Sequence, residues 1–110
     1  MDEPIDPNKA VDYLIENSKR YAKAKADRVY LEPFRKSKKA LLMNQCEEKA
    51  ANAREQYAYS HPEYVALLDG LREAVAVEEA LVWRLRAAQL RIEVWRSQEA
   101  TNRRQDGAAQ

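Results

Sequence analysis

The sequence predicts an all-α fold, a bundle or hairpin of about three helices with a long C-terminal helix, on three observations. Only two glycines occur in 110 residues, far below the usual ~7%, whereas β-hairpins and phosphate-cradling loops need residues that tolerate positive φ. The four prolines, Pro4, Pro7, Pro33 and Pro62, fall before or between apolar-periodic runs, where a fixed φ and a missing amide suit a first helical turn. Apolar residues also recur at three- and four-residue steps over most of the chain. With 45% hydrophobic and 34% charged residues, the chain can bury a core and lacks the composition of disorder.

Asp6-Pro7 reads as an N-cap followed by the first helical position. Val11, Leu14, Ile15, Ser18, Tyr21, Ala22 and Val29 then give one moderately apolar helical face. Glu32-Pro33 disfavours further helix, which places the end near Leu31. A second helix is expected from about Pro33, with Met43, Cys46, Ala50, Ala53 and Tyr57 in 3,4,3,4 spacing along a small-residue seam. A strand pair over residues 28–43 is the alternative suggested by Val29-Tyr30-Leu31, but no turn-type glycine or asparagine closes a hairpin there. Ser60-His61-Pro62-Glu63 fits the S-x-x-E capping box. From Tyr64 onward Leu67, Leu68, Leu71, Val75, Val82, Leu85, Ala88, Ile92 and Trp95 continue helically, weakened only at Gly70.

The third helix is therefore expected over residues 62–103, a length of ~63 Å at 1.5 Å per residue. A compact chain of this size has a radius of gyration of only ~13 Å, so such a helix overshoots a compact monomer unless Gly70 bends it. Its distal half carries a second apolar line, Ala80, Trp83, Ala87, Leu90 and Val94. Two faces need two partners, and self-association is the simplest cover for the second. The interface candidates are Leu85, Ile92 and Trp95 on one line and Trp83, Leu90 and Val94 on the other, with a homo-oligomer as the expected assembly. Residues 1–104 read as a single helical domain and residues 105–110 as a fraying tail.

The net charge of +1 conceals a strong alternation. Residues 1–17 sum to −4, residues 18–39 to +7, residues 40–80 to −5 and residues 81–110 to +3. The +7 block holds Lys19, Arg20, Lys23, Lys25, Arg28, Arg35, Lys36, Lys38 and Lys39, interleaved with Tyr21, Tyr30 and Phe34. That composition suits phosphate attraction with base stacking on single strands. The plainer reading is a solvated face whose lysines pair with the acidic block.

Catalytic chemistry finds little support. Cys46 has no partner cysteine in the chain and His61 is the sole histidine, so a disulfide and a four-ligand zinc site are both excluded. Cys46 on the seam reads as a small core residue, and His61 beside Pro62 as an interhelical turn residue. Glu47-Glu48 and Glu78-Glu79 diverge by about 100° within each pair on a helix, and solvation accounts for them better than magnesium binding by Glu48 with Asn52 or by Glu78 and Glu79 of two chains. No catalytic residue, metal or cofactor is expected. No run approaches the 18 apolar residues of a membrane span, and Met1-Asp2-Glu3 lacks the basic start of a signal peptide. A soluble, cytoplasmic protein without membrane contact is the expectation.

Residues 54–64, REQYAYSHPEY, and residues 91–103, RIEVWRSQEATNR, resemble stretches of small α-helical proteins encoded by phages and prophages. The resemblance spans most of residues 10–104. It implies a setting among early genes for DNA recombination, replication or defence evasion, and it transfers no functional residue. Two functions follow as expectations. One is a non-enzymatic helical accessory protein contacting nucleic acid, or a nucleic-acid-processing protein, through residues 19–39. The other is an anti-defence inhibitor that binds and blocks a host effector such as a CRISPR nuclease complex. A magnesium-dependent helical enzyme is the third and weakest, since acidic groups from several helices would have to converge.

Overall fold

A computed structural model describes residues 3–109. Met1 and Asp2, in the acidic start, and Gln110, the last residue of the expected tail, lie outside the described residues. Three helices account for nearly all of the rest: α1 over Pro7–Gln45, α2 over Ala51–Ser60 and α3 over Pro62–Ala109. No strand occurs among the described residues, which disposes of the hairpin reading of residues 28–43.

The start of α1 follows its sequence signal. The Asp6 carboxylate accepts from the amides of Asn8 at 2.9 Å and Lys9 at 3.4 Å, and Pro7 occupies the first helical position. Two amides that would otherwise lack an intrahelical partner are thus satisfied.

The expected end near Leu31 is overturned, because α1 runs through Pro33 to Gln45. A proline inside a helix removes one hydrogen bond and crowds the carbonyl four residues back. Here both Pro33 and Val29, whose carbonyl loses its donor, lie on the exposed side, where water can serve that carbonyl. The opposite side holds the helix together: Leu31 and Phe34 are half-buried and Leu42 is fully buried. The Tyr30 and Phe34 rings also stack across the proline turn with centroids 5.6 Å apart. Packing on one face outweighs a local penalty on the other.

The real break lies at residues 46–50, where the sequence carries neither glycine nor proline. The seam of Met43, Cys46, Ala50, Ala53 and Tyr57 is consequently not one helical line. Cys46 and Ala50 stand outside the helices, and Cys46 is half-buried rather than core. The Arg54 side chain closes the end of α1, with Nε and Nη2 both donating to the Met43 carbonyl at 3.1 Å. Nη2 also reaches Asn44 Oδ1 at 3.4 Å. A guanidinium supplied from α2 thus joins the Cys46 amide, at 3.2 Å, on a C-terminal carbonyl of α1 that has no i+4 helical donor.

The corner between α2 and α3 also differs from the expected capping box. Ser60 is the last residue of α2, and its hydroxyl turns back to the Gln56 carbonyl at 2.6 Å. His61 takes the capping role: its Nδ1 accepts from the Glu63 amide at 3.1 Å, and its carbonyl accepts from Tyr64 and Val65. The Glu63 carboxylate, released from the box, pairs instead with Lys38 on α1 at 2.7 Å. α3 then continues through Gly70 without interruption, and across residues 105–108, within the stretch expected to fray, it remains helical with exposed side chains.

Contacts gather into two units, each drawing on both long helices. The first comprises the residues up to Tyr21 and those from Glu79 onward, and the second comprises Ala22–Glu78. In the second, Leu42, Ala58 and Tyr64 form a buried cluster with Met43 against it, so each of the three helices contributes to one core. Within that unit α1 and α3 run antiparallel, since Lys38 meets Glu63 while Arg28 meets Glu78. In the first unit the buried positions are Ala10 and Asn17 on α1 and Leu81 and Ala88 on α3. The Asn17 amide nitrogen donates to the Tyr13 carbonyl at 2.9 Å, and its oxygen accepts from Arg20 at 2.9 Å.

Two stability experiments follow. Leu42→Ala is expected to cost about 2–5 kcal/mol in urea titration, because it hollows a fully buried site. Pro33→Ala, on an exposed helical turn, is expected to raise stability by about 1–3 kcal/mol through the restored hydrogen bond.

Candidate functional site

The first candidate is the basic stretch of α1. Lys19 and Arg20 belong to one unit, while Lys23, Lys25, Arg28, Arg35, Lys36, Lys38 and Lys39 belong to the other. Several of the latter are already engaged. Arg28 forms a two-pronged pair with the buried Glu78, Nε to Oε2 and Nη2 to Oε1, the second at 3.2 Å. Lys38 holds Glu63, and Lys39 holds Glu55 at 3.2 Å while lying 4.7 Å from the centre of the Tyr59 ring. Lys23 pairs with Asp27 one turn on, at 3.4 Å. Lys25, Arg35 and Lys36 are exposed and form no ion pair among the described residues. On the same helix Tyr30 is 65% exposed. The arrangement leaves a smaller cationic surface than the charge count of the block implies.

These pairs shift protonation in the direction that favours charge. The hydrogen bond from Arg28 holds the Glu78 carboxyl below the usual glutamate range against the opposing effect of burial. The hydrogen bond from Lys38, followed by its charge, lowers Glu63 in the same way. The Lys39 ammonium is held above its ordinary value, first by Tyr59 and then by Glu55.

The second candidate is the distal part of α3, within the first unit. Its two apolar lines separate cleanly. Leu85, Ile92 and Trp95 are half-buried, on the side that carries the buried Leu81 and Ala88. Trp83, Leu90 and Val94 are instead 62%, 59% and 46% exposed. Ala80 and Ala87 are exposed in line with them, giving a 3,4,3,4 stripe open to solvent. The Arg86 guanidinium stacks over the Trp83 ring at 4.9 Å. On one flank Arg84, Arg91 and Gln98 share an open cleft of about 1190 Å³ with Glu3, Asp6 and Lys9. Three basic groups there, Lys9, Arg84 and Arg91, are interspersed with two acidic ones, Glu3 and Asp6.

No group of three His, Cys, Asp or Glu side chains converges on a metal position among the described residues. Glu78 is committed to Arg28 and Glu79 is exposed. No described helix is long and apolar enough to cross a membrane. Sequence reasoning missed the Arg54 clasp, the His61 cap and the Arg28–Glu78 pair. The first and last join residues distant in sequence, so no local spacing announces them. For His61 the signal was present, since an acceptor immediately before Pro62 stands at the N-cap position.

No protein-family model, curated protein or solved structure matches this chain. The functional reading therefore rests on its own residues.

The Arg28–Glu78 pair generates a pH dependence. Because the folded carboxyl titrates below its ordinary value, its stabilisation is complete above the usual glutamate range of ~4.3 and is lost as pH falls through the lowered value. Glu78→Gln is expected to lower the melting temperature at neutral pH, and its melting temperature should fall less steeply than wild type under acid. Parallel decline of both proteins in thermal melts at stepwise lower pH would show that the pair does not contribute.

Proposed function

We propose that this protein is a non-enzymatic, phage-associated helical accessory protein that works by association, with the exposed apolar stripe of α3 as its principal binding surface. The observation that carries this reading is the exposure of Trp83, Leu90 and Val94 on one face of a well-packed helix. Aligned large apolar groups are rarely left open on soluble monomers, and tryptophan and arginine are among the residues enriched at interface hot spots. Leu85, Ile92 and Trp95 serve the chain's own packing, so the stripe surface is Trp83, Leu90 and Val94 with Ala80 and Ala87 between them. A homo-oligomer is the assembly this surface supports.

A second reading, contact with single-stranded nucleic acid, is favoured by one observation. Tyr30 is exposed and stacked on Phe34, on the same helix as Lys25 and Lys36, which form no ion pair among the described residues. An exposed ring beside cations is the element on which bases stack while phosphates are neutralised. Lys38 and Lys39, already paired with acids, contribute little to such a surface.

Light scattering of the purified chain tests the first reading: Leu90→Asp is expected to abolish any concentration-dependent rise in mass while leaving helicity unchanged. Fluorescence anisotropy with a labelled single strand tests the second. Binding should weaken steeply with added salt and fall several-fold in Tyr30→Ala and in Lys25→Ala/Lys36→Ala; no binding at low salt rejects it.

A further inference from the structure

We infer that the junction between α1 and α2 is a hinge that straightens into continuous helix, through which two copies of this chain exchange their α1 helices. The folded chain and the exchanged dimer share their side-chain contacts, and the junction decides between them.

Local sequence gives the junction little reason to break. Glu47, Glu48, Lys49 and Ala50 include three of the strongest helix-forming residue types. No described residue takes a positive φ, so the left-handed residue that commonly closes a helix is missing. The last turn of α1 holds no basic side chain, and Ala50 starts α2 without a side-chain cap. Ala50 already has a helical φ of −69°, and its ψ of 134° is what departs from the helical value of about −42°. With the helix run on, Met43, Cys46, Ala50, Ala53 and Tyr57 would fall on one line.

Tertiary contacts hold the corner instead. Lys39 pairs with Glu55, and Leu42 packs with Ala58 and Tyr64. Lys38 pairs with Glu63 and Arg28 with Glu78. Each of these joins α1 to α2 or α3, so α1 of a second copy can supply the same partner. The Arg54 clasp is the exception, because it needs a broken helix. In a continuous helix the Met43 carbonyl takes the Glu47 amide four residues on. Exchange therefore keeps the side-chain contacts, adds helical hydrogen bonds across residues 46–50 and gives up the clasp. Short hinges of this kind are a known route to swapped dimers.

Refolding from urea at high protein concentration, followed by sedimentation, tests the hinge. Leu90→Asp is carried throughout, so that association through the α3 stripe does not enter and failure of that reading leaves the test intact. Arg54→Ala should raise the share of the two-chain species by about tenfold, as expected for loss of a charged hydrogen bond. Adding Glu48→Gly and Lys49→Gly to it should return the single chain, since glycine disfavours the continuous helix. Arg28→Glu and Glu78→Arg place like charges together within one chain. Refolded as a mixture, the two variants should pair one to one, well above the half given by random pairing, because exchange sets opposite charges together at both sites. That excess should also appear, at lower yield, with Arg54 intact, which keeps the test open if Arg54→Ala does not fold. Random proportions, or a single-chain mass at every concentration, overturn the exchange. A dimer that survives the two glycines overturns the continuous helix as its hinge.

Discussion

The chain reverses direction because two helix ends are closed by side chains, and the packing of the middle of the sequence depends on those closures. Arg54 on the Met43 carbonyl ends α1, and His61 on the Glu63 amide begins α3. Between them α2 is only ten residues long, below the length at which an isolated helix is stable in water. It persists because Ala58 enters the cluster with Leu42 and Tyr64. Closing the ends and burying the cluster are one event, since the Arg54 clasp brings α2 against α1 where Leu42 waits.

With three helices and a chain rich in charge, each long helix buries only one side. The buried positions are more often small or polar than large: Ala10, Ala24, Ala58, Ala88, Asn17 and Glu78 stand beside Leu42, Tyr64 and Leu81. Small residues let backbones approach, while the polar ones are satisfied, and no buried side-chain polar atom among the described residues lacks a hydrogen-bond partner. Glu78 shows how that is achieved, with both carboxylate oxygens taken by one arginine. A buried ion pair of this kind specifies registration between α1 and α3 more than it adds stability.

The same economy bears on function. The acidic segment of residues 40–80 supplies Glu55, Glu63 and Glu78 to the basic segment of α1, so much of the charge alternation is spent within the second unit. The apolar stripe on α3 has no such internal partner. The association proposed through Trp83, Leu90 and Val94 would use the surface that this architecture leaves open.

Periodicity and composition by themselves determined the all-helical class, the Asp6 cap, the start of α3 at Pro62 and the division of its distal half into two apolar lines, because each follows from residues within a turn or two of one another. Gly70 could not have been judged that way, since whether a glycine bends a helix depends on what packs beside it. Tertiary structure alone decided that α1 passes through Pro33, that the break falls at residues 46–50, and which apolar line of α3 is covered. The physical reason is shared: a proline penalty on an exposed turn is outweighed by burial of the opposite face, and a glycine-free break is held open by an arginine eleven residues beyond the carbonyl it binds. Local sequence records propensities, and only the packed chain shows which of them prevail.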